Sequence, residues 1–118
     1  MNAQLVAMLE IQDLTSKARE LEGDELGDLE RAHFGVNPEE AASTLRQKAD
    51  ELLEELEPRI RQRFRTISGR VDRAVVPVIG GTCFGCFVSI PTATAGEQDP
   101  NATLQSCETC GRFIYILG

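Results

Sequence analysis

Four cysteines fall into two pairs with the same internal spacing, and thiols are the side chains of this chain best suited to chemistry. Two residues separate Cys83 from Cys86, and after twenty more residues Cys107 and Cys110 repeat that spacing. Two residues between thiolates let one tight turn present both sulfurs to the same ion, and two such turns close a tetrahedron. The pattern predicts one structural Zn²⁺ ion held by Cys83, Cys86, Cys107 and Cys110.

The residues around the cysteines suggest how these turns are built. Gly85 and Gly111 are expected to supply the unusual backbone angles that such turns need. Phe87, Val88 and Ile90 are expected to continue as a strand. The cysteine-bearing segment is short and has few aromatic residues, so a structural zinc ion would contribute much of its folding free energy, on the order of 10–16 kcal/mol. A strong chelator is therefore expected to unfold this segment while the helices persist.

Other uses of paired cysteines fit the sequence less well. A redox C-x-x-C motif begins a helix in a βαβ unit, whereas a strand-like run follows the first pair here. Disulfides require an oxidising compartment, and an iron–sulfur cluster, which also uses four cysteines, stays open as a weaker alternative. A four-thiolate zinc site leaves no coordination position for a catalytic water.

Few residues are left for an enzymatic site. The one histidine, His33, is expected to be solvated or packed in a helical seam, and the many carboxylates look like solvated helix faces. With all four thiols bound to zinc, the chain has no free cysteine nucleophile. The composition therefore favours a protein that is not an enzyme.

The elements that must position the cysteines begin with a helical region. Apolar residues recur there at spacings of three and four, as in a heptad seam: Ala7, Ile11, Leu14, Ala18 and Leu21. The pattern shifts phase after Gly23 and Gly27, which predicts a stutter or kink in a continuing helix. A real break at Gly23 is the competing interpretation, because a glycine within a helix costs about 1 kcal/mol.

A turn signal, "FGVNPEE", separates the first helical region from a second. Gly35 suits a helix end, Asn37 an N-cap and Pro38 the first helical position. The second apolar stripe comprises Leu45, Ala49, Leu52, Leu56, Ile60, Phe64, Ile67 and Val71. Pro58 interrupts this stripe and is expected to kink the helix rather than end it, because the stripe continues beyond it.

After Gly69 the hydrophobic period changes to that of strands. The strand-like runs are "AVVPVIGG", "CFGCFVSI", "ATLQSC" and "CGRFIYILG", and residues 91–101 are predicted to form a loop. The predicted fold is α+β, with an antiparallel helical hairpin over residues 1–73 followed by a small β zinc ribbon over residues 74–118. Because a two-helix hairpin has little core, homo-oligomerisation through it is a further expectation.

Charge is unevenly distributed along the chain, whose net charge is −7. Residues 1–58 carry 15 acidic and 5 basic residues, and a run of arginines follows them. This arginine collar consists of Arg59, Arg61, Arg63, Arg65, Arg70 and Arg73. Arg112, two residues after the second cysteine pair, adds one more. The collar either packs along the seam and pairs with nearby acids, or contacts phosphates. The acidic arm would repel nucleic acid, which favours a protein partner that itself carries nucleic acid.

Neither a membrane span nor a signal peptide is expected. No segment approaches the roughly 18 apolar residues of a span, and the N-terminus has no positively charged region. A cytoplasmic protein with no membrane partner is the resulting expectation.

Three segments together resemble one bacterial family. They are "LEIQDLTSKARELE" at 9–22, "LEPRIRQRFRTISGRVDRAVVPVIGGTCFGCFVSIP" at 56–91 and "CETCGRFIYIL" at 107–117. The family combines an N-terminal coiled-coil hairpin with a C-terminal C4-type zinc ribbon, and its members usually have much longer helices. The resemblance implies a non-enzymatic adaptor that binds nucleic acid or proteins, with some members tied to transcription and to flagellar or secretion systems.

The order of elements is also similar to that of regulators of the DksA/TraR type. Those regulators insert an acidic hairpin tip into the secondary channel of RNA polymerase. The candidate tip residues here are Asp24, Glu25 and Asp28, and a solvated acidic face is the simpler interpretation.

The expected function is an adaptor or regulator that binds transcription machinery or nucleic acid through the ribbon and the arginine collar. Expected partners are RNA polymerase, a sigma factor, or a secretion or flagellar component. One alternative is a polymerase secondary-channel factor, and another is a coiled-coil scaffold or chaperone for a flagellar or secretion system.

Overall fold

The structure is a computed structural model that describes residues 1–23, 37–90 and 101–117 of the chain. Within these ranges the chain forms three helices and a four-stranded sheet, which confirms the α+β class. The helices are α1 (Ala3–Glu22), α2 (Pro38–Glu55) and α3 (Pro58–Ser68). The strands are β1 (Val75–Ile79), β2 (Thr82–Cys83), β3 (Gln105–Ser106) and β4 (Phe113–Ile116).

The first two helices begin at asparagine caps. The Asn2 side chain accepts hydrogen bonds from the backbone N–H groups of Gln4 and Leu5, at 2.8 and 3.3 Å. Asn37 caps α2 in the same way, and Pro38 occupies the first turn, where its missing N–H costs nothing. The start predicted at Asn37 and Pro38 is confirmed.

The end of α1 differs from the expectation of a continuing helix. The helix ends at Glu22, and Gly23 follows with an extended backbone, at φ −68° and ψ 132°. The Gly23 N–H still bonds to the carbonyl oxygens of Arg19 and Glu20, so it closes the last turn. The competing interpretation, a break at Gly23, is therefore the correct one. The phase shift at Gly27 and the helix end at Gly35 lie outside the described residues.

The expected kink at Pro58 is also wrong, because the chain forms two separate helices there. α2 ends at Glu55, Leu56 and Glu57 have extended backbones, and Pro58 begins α3. Proline has no N–H to donate back into a helix and disfavours helical geometry in the residue before it, so it is a better start than an interior. The extended turn places the Leu56 side chain in the core with 2% of its surface exposed.

The helices α1 and α2 run in opposite directions. Near the start of α1, the Gln4 side-chain oxygen accepts a hydrogen bond from the Glu57 N–H at 2.9 Å. At the end of α1, the Arg46 guanidinium donates to both carboxylate oxygens of Glu22 and holds the pKa of that carboxyl below its usual range. The segment that joins the helices lies outside the described residues, so the hairpin stays a prediction.

The buried face of α1 is turned by about one residue from the predicted seam. Ile11 and Ala18 of the predicted seam are buried, but so are Leu5, Met8 and Gln12, whereas the seam residues Ala7, Leu14 and Leu21 are only half-buried. Gln12 points inward because its amide pairs with β1: its nitrogen donates to the Val75 carbonyl and its oxygen accepts from the Val75 N–H, both at 3.0 Å. A polar side chain that satisfies two backbone groups can be buried without penalty, and periodicity in apolar residues does not show this.

The sheet has strand order β2-β1-β4-β3, with the central pair β1 and β4 parallel and each outer strand antiparallel to its neighbour. Successive side chains of a strand point to opposite faces. Val75 and Phe113, which pair directly, join the core formed with the helices, whereas Val76 and Ile114 pack with the cysteines on the other face. The sheet therefore separates a helical layer from the four cysteines.

The larger core cluster contains residues from both predicted domains. Its buried members are Leu5, Met8, Ile11, Ala49, Leu56, Phe64, Ile67, Ala74, Val75 and Phe113. The proposed boundary between residues 1–73 and 74–118 crosses this cluster. Independent folding of the two parts stays a prediction.

Candidate metal centre

A tight hairpin sets the position of the first cysteine pair. Gly80 and Gly81 form the two-residue turn between β1 and β2, with φ angles of 60° and 77°. Positive φ at both positions is the mark of the type I′ turn, whose twist matches paired strands and which favours glycine. The turn brings Cys83 opposite Val78, on the sheet face away from the helices.

The segment Cys83–Val88, here the first knuckle, is closed by its own backbone. The Phe87 N–H donates to the Cys83 carbonyl at 2.7 Å, and the Cys83 N–H donates to the Val88 carbonyl at 3.0 Å. The Phe84 N–H donates to the Pro77 carbonyl at 3.0 Å, which fixes the knuckle to β1. The expected strand over Phe87, Val88 and Ile90 is wrong, because only an isolated bridge between Ser89 and Thr82 follows.

The segment Cys107–Arg112, here the second knuckle, repeats this pattern between β3 and β4. The Gly111 N–H donates to the Cys107 carbonyl at 2.8 Å, and the Cys107 N–H donates to the Arg112 carbonyl at 2.9 Å. Each bond matches one in the first knuckle, residue for residue. The two cysteine pairs are therefore presented by two copies of the same turn.

The two knuckles bring the four sulfurs together. The Cys83 and Cys110 Sγ atoms lie 3.9 Å apart, the Cys86 and Cys107 Sγ atoms lie 3.7 Å apart, and all four lie within 4.8 Å of one another. Four sulfurs at about 2.3 Å from a central ion form a tetrahedron with edges of about 3.8 Å. The four cysteines predicted from spacing are therefore close enough together to hold a single metal ion.

Backbone N–H groups point at the sulfurs and change their protonation. Burial raises the pKa of the Cys107 thiol, but N–H groups of Cys110 and Thr109 and the neighbouring thiols outweigh burial and lower the pKa to about 7. The Val88 N–H lowers the pKa of Cys86, but burial and the three other sulfurs outweigh it and raise that pKa to about 12. Four sulfurs so close cannot all be ionised without a cation among them.

The sequence predicted unusual backbone angles at both Gly85 and Gly111, but only Gly111 has a left-handed backbone. Gly111 has φ 77°, as expected, but the equivalent position of the first knuckle is Phe87, with φ 62°. Gly85 is not among the residues with positive φ. The repeat C-x-x-C-x, laid over itself, places Phe87 on Gly111, and this signal was available in the sequence.

Gly85 is needed for space instead. A Cβ atom at this position would lie 2.6 Å from Nη1 and 2.9 Å from Cδ of Arg112, and 3.2 Å from a Val76 methyl group. The Arg112 side chain thus crosses the first knuckle directly over the Gly85 backbone. Its Nε donates to the Arg73 carbonyl at 3.1 Å.

The arginine collar does not form one uniform surface. Arg61 pairs with Glu54 of α2 at 2.9 Å, and Arg65 approaches the same carboxylate at 3.8 Å. Arg63 donates to the Gly111 carbonyl at 3.4 Å and lies over the Phe113 ring, 5.1 Å from its centroid. These three arginines therefore connect α3 to α2 and to the second knuckle.

The remaining collar residues are exposed. Within the described ranges, no ion pair is formed by Arg59, Arg70 or Arg73. The candidate acidic tip, Asp24, Glu25 and Asp28, lies outside the described residues, as does His33.

The fold and the site together define a mixed α+β protein with a closed cluster of four cysteines that can hold one metal ion. Comparison with family models, with curated proteins and with solved structures gives no match. Among the described residues, none of the helices has both the length and the hydropathy that a membrane span requires.

Proposed function

We propose that the four-cysteine cluster binds one structural Zn²⁺ ion. The observation that carries this proposal is the sulfur arrangement, with two separations of 3.7 and 3.9 Å at the ends of two matching knuckles. Tetrahedral four-sulfur sites select zinc or iron over the metals that prefer oxygen ligands. All four ligands come from the protein, which leaves no open position for a substrate, so the metal would hold the fold rather than catalyse a reaction.

Elemental analysis of protein purified without added metal tests the zinc proposal. One zinc per chain with a colourless absorption spectrum is the expected result. The matched variants are Cys107→Ser and Thr109→Ser, since both place a serine in the second knuckle but only the first removes a sulfur ligand. A coloured protein containing iron, or zinc that persists in Cys107→Ser, would contradict the proposal.

We further propose that the protein is a non-enzymatic, cytoplasmic adaptor or regulator that binds transcription machinery or nucleic acid. The surface would be formed by the metal-bearing sheet and the arginine collar. Arg59, Arg70 and Arg73 support this assignment, because they are exposed and form no ion pair within the described ranges. Arginines that stabilise the fold, such as Arg61, are paired, whereas these three are available to a partner's phosphates or carboxylates.

Crosslinking in the native host followed by affinity purification tests the adaptor proposal. The double variant Arg59→Glu/Arg70→Glu is expected to lose the partners recovered with the wild type. Lys17→Glu/Lys48→Glu is the control, because it reverses the same number of charges on the exposed surfaces of α1 and α2. Loss of the partners in both variants, or in neither, would contradict a role for the collar.

The recovered partners also separate the expected alternatives. RNA polymerase or sigma-factor subunits would support the transcription role. Secretion or flagellar components would instead support a scaffold.

A further inference from the structure

Two aromatic rings stand exposed side by side on the first knuckle. The Phe87 side chain is 72% exposed and that of Phe84 is 45% exposed, and their ring centroids lie 5.8 Å apart at an interplanar angle of 40°. Large aromatic rings gain free energy when they leave water, so adjacent exposed rings indicate a contact surface. The chain has five phenylalanines, one tyrosine and no tryptophan, so two of its six aromatic rings lie on this knuckle.

The backbone conformation of Phe87 shows that the turn does not require a phenylalanine at this position. Its φ of 62° lies in the left-handed region, and the equivalent residue of the second knuckle is Gly111, at φ 77°. A bulky residue in this region is strained, and such strain is concentrated at functional sites. Glycine would serve the same turn with less strain, and the Phe87 ring adds nothing to either core cluster. The ring therefore has a role outside the fold.

Arginine side chains lie close to the first knuckle. The Arg112 guanidinium lies against the Gly85 backbone, since a Cβ there would be 2.6 Å from Nη1. Arg112 donates to the backbone carbonyl of Arg73, an exposed residue just before β1, so these two arginines lie near the first knuckle. Guanidinium groups match phosphate oxygens in geometry and charge.

We propose that Phe84 and Phe87, flanked by Arg73 and Arg112, form a stacking site for the unpaired bases of single-stranded nucleic acid. This inference rests on the proposed function and names the ligand class of its metal-bearing surface. Bases stack on aromatic rings with little sequence preference while arginines contact the phosphates. A duplex hides its base faces, so it cannot stack on these rings.

Fluorescence anisotropy with the zinc-loaded full chain tests the proposal. The probes are fluorescein-labelled oligothymidine and oligouridine of about 12 nucleotides, and a duplex of the same length. The single strands are expected to bind more tightly than the duplex, with affinity falling between about 50 and 200 mM salt. Phe87→Gly and Phe84→Ala are each expected to weaken single-strand binding by about tenfold, the effect of losing one stacked base.

Control measurements separate the loss of base stacking from loss of zinc, loss of stability and loss of charge. Phe87→Gly is expected to keep its zinc and to melt at the same or a higher temperature, because glycine relieves the left-handed strain. Val6→Ala, which truncates another exposed apolar side chain on α1, is expected to bind like the wild type. Arg73→Glu is expected to weaken binding and to reduce its salt dependence.

Failure of the base-stacking inference can be told apart from failure of the proposed adaptor function. Wild-type protein that binds no single strand, or phenylalanine variants that bind like the wild type, would overturn base stacking. So would phenylalanine variants that keep oligonucleotide binding but lose a crosslinked host protein, since the rings would then dock a protein. In each case the Arg59→Glu/Arg70→Glu crosslinking comparison still decides the adaptor role.

Discussion

At the scale of single residues, Gly85 is where the first knuckle, the sheet and Arg112 come closest together. Its lack of a side chain lets Arg112 cross over the knuckle and reach the Arg73 carbonyl, while a Val76 methyl group approaches from below. The same arginine lies against Gly85, which stands between Phe84 and Phe87 in the first knuckle. One small residue therefore connects the geometry of the metal site to the surface proposed for binding.

Gly85→Ala is expected to displace the Arg112 side chain from the Arg73 carbonyl and to destabilise the protein by about 1 kcal/mol, because the new methyl group would overlap Arg112 and crowd Val76. Gly69→Ala is the matched control: Gly69 has ordinary helical angles, and a Cβ there meets its nearest neighbour at 3.5 Å. That substitution is expected to be neutral or stabilising by up to about 1 kcal/mol. Denaturant unfolding of both variants measures the difference, and equal stabilities would contradict the crowding at Gly85.

The residue types alone predicted the cysteine site but not Phe87. The ligand set follows from the spacing of Cys83, Cys86, Cys107 and Cys110, because that spacing is a local property that each knuckle builds from its own backbone. Phe87 favours strands by residue type, so the sequence pattern predicted a strand there. Aligning the two C-x-x-C pairs places Phe87 on Gly111, and the hydrogen bonds from both residues to the carbonyls four residues earlier show that they occupy the same turn position.

At the scale of elements, Gln12 ties α1 to the sheet. Its amide pairs with both backbone groups of Val75, much as a neighbouring strand would. Gln12 is 5% exposed, so its amide is largely shielded from water. This one side chain sets the rotation of α1 and explains why the predicted seam was displaced.

Gln12→Leu is expected to cost about 2–4 kcal/mol, because it leaves a buried N–H and a buried carbonyl of Val75 unpaired. Gln4→Ala is the comparison, since Gln4 also joins α1 to a backbone N–H, that of Glu57, but at an exposed position where water can take its place. That variant is expected to lose less than about 1 kcal/mol. Similar losses in the two variants, measured by urea unfolding, would show that burial does not decide the effect.

The Glu22–Arg46 pair between α1 and α2 gives a pH prediction. Because the hydrogen bond from Arg46 lowers the pKa of Glu22, the pair stabilises the folded state at neutral pH and this contribution is lost as pH falls through the lowered pKa. Arg46→Gln is expected to return the Glu22 pKa towards its ordinary value, measured by NMR titration of the carboxyl carbon. High salt should act in the same direction, because both side chains are exposed. An unchanged titration in Arg46→Gln would contradict the pairing.

The helix boundaries were only partly predictable. The continuing helix expected at Gly23 and the kink expected at Pro58 were wrong for a similar physical reason. Apolar stripes continue past Gly23 and Pro58, so periodicity alone favours continuous helices. The breaks depend on what each residue cannot do: Pro58 cannot donate a hydrogen bond, and Gly23 gains little from helical angles. The Asn37 cap was predictable because a cap bonds within three residues of itself.

At the scale of the whole molecule, the four-cysteine cluster and the helices pack on opposite faces of one sheet. Val76 and Ile114 pack with the cysteines, and the residues adjacent to them in the strands, Val75 and Phe113, pack with the helices. Strands β1 and β4 are parallel and distant in sequence, and one knuckle lies next to each of them along the chain. Sequence composition suggested two separable parts because charge and periodicity change near residue 73, but neither property reports a shared core.

The shared core revises the expectation that the helices persist in a strong chelator: removal of the metal is now expected to weaken the helices as well as the sheet. A structural zinc ion contributes on the order of 10–16 kcal/mol in small metal-folded peptides, and loss of even about 3 kcal/mol would lower the melting temperature of a chain of this size by roughly 10 °C or more. Thermal melts followed by circular dichroism at the helical band, with and without a strong chelator, measure the effect. The helical transition is expected to move to lower temperature together with the exposure of the cysteines to a thiol reagent.

The control for this experiment is restoration of the transition by added zinc, which excludes irreversible oxidation of the thiols. Gln12→Leu provides a second control, because a weakened link between α1 and Val75 should make the helical transition less sensitive to chelation. A helical transition that stays in place while all four cysteines become reactive would instead establish two independently folding parts, with the boundary near residue 73. The shared core around Val75 and Phe113 favours the first outcome, because unfolding the sheet exposes apolar surface that the helices now bury.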